Sequence, residues 1–292
     1  SQHQSGRPLL RWELMEPLPP PETATYDHDP RIARIQASID KRRGTQLEQM
    51  HWVNADEPEE CQWAFIDFVS LLAGAAGACM RRWGAFMSTA DLRRAFVHYR
   101  QLVKLLLWKH PVPPGGFLVL KAPQITSSIH SFADTFPEAR FVAPVRDPYR
   151  VVVSGYTMVR DIVAPLVDPT RWTDDEGLET MTTSISVNVA AMLDFVENGG
   201  RIDVVDYPDV VSDPIGTASE IFEALEIPAD PGLPKRVDDF LTAQRLGRRA
   251  TPPAALPDWG VDPEVLRARE PFASLCTRYG IEPEQHRLTG TG

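Results

Sequence analysis

Cysteine is scarce. The 292 residues hold three, Cys61, Cys79 and Cys276, odd in number and far apart, with no C-x-x-C pair. That spacing excludes a disulfide framework and offers no zinc-ligand pair, so reduced thiols in a cytoplasmic protein are expected, with no metal site. Positive charge is also short, with 30 Lys and Arg against 40 Asp and Glu, for a net charge of -10. An acidic surface repels nucleic-acid phosphate and anionic membrane faces, so neither is expected as a general partner, while a local basic pocket for a small anionic ligand stays open. The first residues, Ser1 to Arg7, are polar and contain no hydrophobic leader core. The most apolar run, Ala64 to Met80, spans 17 residues and carries Asp67, which suits a buried helix better than a membrane span. No Walker-type Gly-x-x-x-x-Gly-Lys occurs, and neither does an internal repeat.

What is present is a chain long enough for one large domain over 1–292. Residues 1–30 are rich in proline, with Pro17-Leu18-Pro19-Pro20-Pro21 running extended. Ile32, Ile35 and Ile39 recur at helical spacing within Arg31–Arg43. Asp56-Glu57-Pro58-Glu59-Glu60 reads as a helix start leading into Trp63, Phe65, Ile66 and Val69. Residues 90–109 form a strong amphipathic helix, stopped by Pro111-Val112-Pro113-Pro114-Gly115-Gly116. The period then changes. Phe117–Leu120, Arg140–Arg146 and Ile202–Tyr207 read as buried strands, with helices over Ser127–Phe136, from Asp147-Pro148 onward and over Pro214–Leu225 between and after them. Strands alternating with helices predict an α/β fold with a parallel sheet over 117–225, followed by mixed helix and loop over 230–292.

In such a sheet ligands bind outside the carboxyl ends of the strands. Arg146 ends the second strand, and Ser154 sits in the second turn of the helix that follows. A guanidinium and a hydroxyl beside a helix N-terminus make a phosphate clamp. As a pair of residue types this is common.

The words around the pair are more specific. Leu118-Val119-Leu120-Lys121-Ala122-Pro123, Phe136-Pro137-Glu138-Ala139-Arg140-Phe141 and Arg146-Asp147-Pro148, with Ser154 following, resemble the sulfotransferases that use 3′-phosphoadenosine-5′-phosphosulfate (PAPS). Leu9 to Pro17, Ala55 to Cys61, Asp206 to Asp209 and Asp213 to Gly216 resemble a bacterial, actinobacterial branch of that family. The likeness covers about residues 8–285. It implies a sulfotransferase-like, P-loop-type parallel sheet flanked by many helices, and sulfuryl transfer from PAPS to a hydroxyl of a small apolar metabolite. It assigns the 3′-phosphate to Arg146 and Ser154, with Arg248 and Arg249 near a further nucleotide-contacting loop and Arg150 and Tyr156 flanking the clamp. Glu13 is the first candidate for the base that takes the acceptor proton and His51 the second, while Lys121 is placed to steady a bridging oxygen. Trp12, Trp52, Trp63, Phe65, Trp83 and Phe86 could line an apolar acceptor pocket or simply be core.

The sequence also departs from the family pattern. The family's strand and Pro-x-x-Gly-Thr-Thr-like loop for the 5′-phosphosulfate precede the Trp-Glu-Leu segment, and here eleven residues precede Trp12. The first strand and loop are therefore expected to be missing from this stretch. Another segment, an oligomer or a partner subunit is open as the filler of that slot. Ala122, Ile125 and Val145 stand where the family often has polar residues. A repurposed enzyme with PAPS-independent chemistry on a phosphate-bearing, diphosphate-bearing or polycyclic metabolite remains an alternative, with magnesium on Asp174-Asp175-Glu176, as does a non-catalytic subunit. After Thr173, those acids are more simply the first turn of a helix.

Overall fold

The computed structural model describes residues 4–41, 43, 52–65, 91–163, 173–247 and 257–284. In chain order the elements are strand β1 (Gly6–Pro8), helices α1 (Arg11–Met15), α2 (Pro30–Asp40) and α3 (Arg93–Trp108), strand β2 (Phe117–Val119), helix α4 (Ile129–Thr135), strand β3 (Phe141–Val145), helices α5 (Pro148–Val163) and α6 (Asp174–Glu197), strand β4 (Ile202–Asp206), and helices α7 (Tyr207–Ser212), α8 (Pro214–Ala224), α9 (Leu233–Gly247), α10 (Pro263–Arg267) and α11 (Phe272–Tyr279). The three expected strands and their intervening helices are all present, within a residue or two of the expected bounds. The helix expected at 127–136 begins as a 3₁₀ turn, Pro123–Ser128, because proline sets its first turn.

The proline-rich start is more ordered than its composition suggests. Gly6–Pro8 pairs in parallel with Phe117–Val119, placing Arg7 opposite Leu118. A partner more than a hundred residues away leaves no local trace. Past Asp56, the described part of the expected helix is a 3₁₀ turn, Cys61–Phe65. The continuation through Ile66 and Val69, like Trp83 and Phe86, lies outside the described residues.

The elements fall into two compact units. The first holds β1, β2, α1 to α4 and α9. Its core includes Trp12, Tyr26, Ile35, Ile39 and Ala55. The helical spacing of Ile35 and Ile39 buries one face of α2, and Asp29 caps it by accepting the Arg31 N–H at 3.0 Å. Phe96 on α3 meets Phe132 on α4 edge to face, with ring centroids 5.4 Å apart. Trp12 is fully buried here, so it is core rather than the wall of an open pocket.

The second unit holds β3, β4, α5 to α8, α10 and α11. β3 and β4 pair in parallel from Phe141↔Ile202 to Val145↔Asp206, and α5 and α6 provide the crossover between them. One cluster packs Val152, Val153 and Tyr156 of α5 against Leu178, Leu266 and Phe272. Another sets Val145 among Met192, Leu193, Leu275 and Ile281. Both strands therefore end beside the same group of helices.

Phe272 is 0% exposed. Phe272→Ala is expected to lower the unfolding free energy by about 3–5 kcal/mol, through lost burial and the cavity left behind. Urea unfolding of the two chains measures it.

Candidate functional site

The carboxyl ends of β3 and β4 lie side by side, since Val145 pairs with Asp206. The next residues are Arg146 and Tyr207. The Arg146 guanidinium lies over the Tyr207 ring, 4.4 Å from its centroid. Its Nε donates to Glu284 Oε1 at 2.5 Å and its Nη2 to Glu284 Oε2 at 2.7 Å. Arg146 thus presents its planar fork and grips two oxygens of one anion. Arg150, one turn into α5, brings its Nε to 3.4 Å from Glu284 Oε2.

Asp147 fixes the framework. It caps α5, accepting the Tyr149 N–H at 3.1 Å, and also takes Arg267 Nη1 at 2.9 Å and the Glu284 N–H at 3.0 Å. The Asp-Pro start read from the sequence is therefore a true cap. Its further partners lie 120 and 137 residues away.

Ser154 stands where the sequence put it, in the second turn of α5. Its hydroxyl donates to the Arg150 carbonyl at 2.6 Å. The oxygen keeps lone pairs for accepting, and the proton is one rotation from being offered elsewhere. Ser154 and Arg150 are one helical turn apart and share a face. The structure thus brings Arg146, Arg150 and Ser154 to one end of β3 and α5. Tyr156 faces away into the core, its hydroxyl donating to Asp174 Oδ1 at 2.6 Å.

Three guanidiniums meet two carboxylates here. Arg146, Arg150 and Arg267 face the carboxylates of Asp147 and Glu284. Hydrogen bonding from Arg146 holds the Glu284 carboxyl below its ordinary range. Nearby Asp206 is pushed the other way, first by burial, then by Asp209, with Glu284 adding repulsion. Glu284 and Arg267 had no signal in the sequence, because both reach the site from the far end of the unit. Only an Arg at a strand end was visible, without its counter-ion.

The expected catalytic residues fare differently. Glu13 is 0% exposed. Its Oε1 accepts from Arg7 Nη2 at 2.6 Å and its Oε2 from the Leu10 N–H at 2.9 Å. Tyr26 packs on Trp12 and stacks on His110 at 3.6 Å, and burial and the Glu13 carboxylate raise its pKa. In this arrangement the Glu13 carboxylate is buried and engaged by Arg7 and the Leu10 N–H, the geometry of a structural anchor. Lys121 follows β2 and is mostly exposed, with its Nζ 2.8 Å from Glu60 Oε1. Its main chain is held by Cys61, whose N–H donates to the Lys121 carbonyl at 2.7 Å. His51, Arg248 and Arg249 lie outside the described residues.

Asp174 is committed to Tyr156 and to Arg160, whose Nε lies at 2.8 Å, while Thr173 caps α6 by accepting the Glu176 N–H at 3.3 Å. A helix start accounts for these acids. Among the described residues no group of three or more His, Cys, Asp or Glu is arranged to hold a metal, and no helix is long and apolar enough to cross a membrane.

With that geometry in view, the sequence profile of the sulfotransferase family matches residues 3–231. The chain belongs to the sulfotransferase family. Membership places it among the transferases, and the strand-end Arg146 and helical Ser154 fall within the matched stretch. The fold agrees with solved sulfotransferases. The crystal structure of sulfotransferase STF9 from Mycobacterium avium matches with a TM-score of 0.83 at 23% identity, covering 98% of this chain and 73% of that one. That of sulfotransferase STF1 from Mycobacterium tuberculosis H37Rv matches with a TM-score of 0.72 at 18% identity, covering 94% and 71%. No curated protein sequence matches the chain significantly.

Two outcomes follow from the charges. Glu13→Gln leaves the buried Arg7 guanidinium without its counter-ion, and Arg7 Nε and Nη1 already lack hydrogen-bond partners among the described residues. The substitution is expected to cost about 3–5 kcal/mol of stability, measured by chemical unfolding. An unchanged midpoint together with lost turnover would restore a catalytic Glu13. The second concerns acid. The folded pKa of Glu284 is depressed from its ordinary 4.5, so its ion pair contributes stability above that pH and loses it as pH falls through the folded value. Thermal unfolding scanned through the acid range should show a shallower loss for Glu284→Gln than for the parent chain below about pH 4.5.

Proposed function

We propose that this chain transfers a sulfuryl group from PAPS to a hydroxyl of a small apolar metabolite. The observation that carries this reading is the Arg146 fork at the carboxyl end of β3, which grips both oxygens of one anion. A phosphate monoester presents the same pair of oxygens with more negative charge than a carboxylate. The Arg146 edge therefore suits the 3′-phosphate that the family resemblance assigns to it. Arg150 adds a second guanidinium, and Ser154 can turn its hydroxyl from the helix carbonyl toward a phosphate oxygen.

PAPS, when bound, supplies the activated sulfuryl group. The chain's own task is to hold the nucleotide, keep its charge neutralised and position an acceptor whose hydroxyl proton passes to a base. With Glu13 sealed in its ion pair, His51 is the base we carry forward. Lys121 is the cation we carry forward, since its flexible, exposed ammonium is tied by a partly exposed pair with Glu60. Arg248 and Arg249 remain proposed nucleotide contacts on family resemblance. Free thiols, Cys61 buried and Cys276 half-buried, suit a reducing cytoplasm.

Calorimetric titration with 3′-phosphoadenosine-5′-phosphate tests the nucleotide assignment. Micromolar binding is expected, weakened at least about tenfold in Arg146→Ala because a charge-assisted two-point contact is lost. Equal binding by both chains would remove Arg146 from the site. Absence of binding by folded protein would remove the nucleotide.

A further inference from the structure

The Arg146 fork is already engaged by the chain's own carboxylate, and the local structure shows how that carboxylate is delivered. Helix α11 ends at Gly280, whose φ of 65° is the left-handed conformation that glycine adopts without strain. The turn reverses the chain, and the Ile281 N–H returns to the Cys276 carbonyl at 3.1 Å. Ile281 is 5% exposed and packs with Val145, Leu193 and Leu275, and its carbonyl accepts Arg267 Nη2 at 2.7 Å. Ile281 is therefore a firm anchor.

The next three residues are held differently. Glu282 and Pro283 are exposed and Glu284 is half-buried. Glu284 is fastened by its carboxylate on Arg146 and Arg150 and by its N–H on Asp147 Oδ2. Beyond Ile281, the described residues 282–284 add no buried apolar side chain to hold this strap down. It has an anchored root, an exposed middle and an ionic tip, and the tip covers the edge of Arg146 that a ligand phosphate would use.

We propose that residues 281–284 form a self-inhibiting strap, in which Glu284 occupies the anion site as an internal phosphate mimic and must leave before a phosphate-bearing ligand can bind. This rests on the assignment of Arg146 as a phosphate contact in the preceding section. The chemistry is a plain exchange of anions on one guanidinium edge. A carboxylate brings a single charge, whereas a phosphate monoester brings more and a third terminal oxygen for Arg150 or Ser154. An external monocarboxylate gains nothing over Glu284, which is already tethered in place. The strap therefore selects for the more highly charged group as well as weakening its binding. A strap closed nine-tenths of the time lowers apparent affinity about tenfold.

The experiment compares the parent chain, Glu284→Gln, Glu284→Ala and Arg146→Ala/Glu284→Gln, each checked for native folding by circular dichroism. The probes are 3′-phosphoadenosine-5′-phosphate and inorganic phosphate, titrated by calorimetry. Both Glu284 variants are expected to bind the nucleotide about tenfold more tightly than the parent, with the gain lost when Arg146 is also removed. Unchanged or weaker binding by the Glu284 variants would overturn the strap and make Glu284 a residue that merely positions Arg146. If the nucleotide binds no chain while inorganic phosphate binds the variants more tightly than the parent, the strap stands and the nucleotide assignment fails. If neither probe separates parent from variants, the strap fails. Hydrogen exchange on the parent chain reads the same motion without mutation. The Glu284 amide, bonded to Asp147, should exchange faster once ligand is bound, and unchanged protection in a ligand-saturated sample would contradict displacement.

Discussion

Asp147 is the constraint around which the second unit is organised. A carboxylate that is 2% exposed must collect donors to offset its lost hydration. It collects three, from three places in the chain: the first turn of α5, the Arg267 guanidinium at the end of α10, and the Glu284 amide. One buried charge thereby joins the end of β3, the start of the longest core-facing stretch of α5, and the segment that follows α11. Arg146, its neighbour in sequence, has its backbone position fixed by the same demand. The anion-binding fork is thus a consequence of how Asp147 is satisfied.

The first unit repeats the principle with Glu13. Its buried carboxylate takes Arg7 from β1 and the Leu10 amide at the start of α1. Tyr26 and His110 close over the pair as a stacked couple, with the Arg7 guanidinium 5.8 Å from the Tyr26 ring centroid. Beside it Arg11 pairs with Glu59, another ion pair with both side chains under a tenth exposed. Replacing one partner of such a pair strands the other, which is why these charges specify position more than they add stability. A Glu beside a Trp can be a catalytic base or a structural anchor, and the burial of this one on Arg7 favours the anchor.

The contrast between the units bears on function. Glu13 is buried on Arg7. Glu284 is only 22% exposed at its side chain, yet it sits on a short strap with exposed neighbours and grips cations at the carboxyl end of a parallel sheet. Ligands bind at such strand ends because backbone and helix termini converge there. A carboxylate held below its ordinary pKa by Arg146 is a strong competitor for an incoming anion. In the proposed reading the Arg146 fork is the clamp, and the segment after α11 sets how readily it is freed.

The sequence by itself determined the alternation of strand and helix from Phe117 to Ala224, the Asp-Pro start of α5, the helix start after Thr173, and the placing of Arg146 and Ser154 near a strand end. All of these are signals written within a few residues: hydrophobic period, a capping oxygen, a proline at the first turn. The tertiary structure alone decided that Gly6–Pro8 is a strand, that Glu13 is sealed on Arg7, and that Glu284 covers Arg146. The reason is the same in each case. The partners are Phe117–Val119 for the strand, Arg7 and the aromatic pair over it for Glu13, and a residue 138 positions away for Arg146. Local periodicity reports which face of an element is apolar, and it carries no record of which distant charge will be brought to meet a half-buried guanidinium.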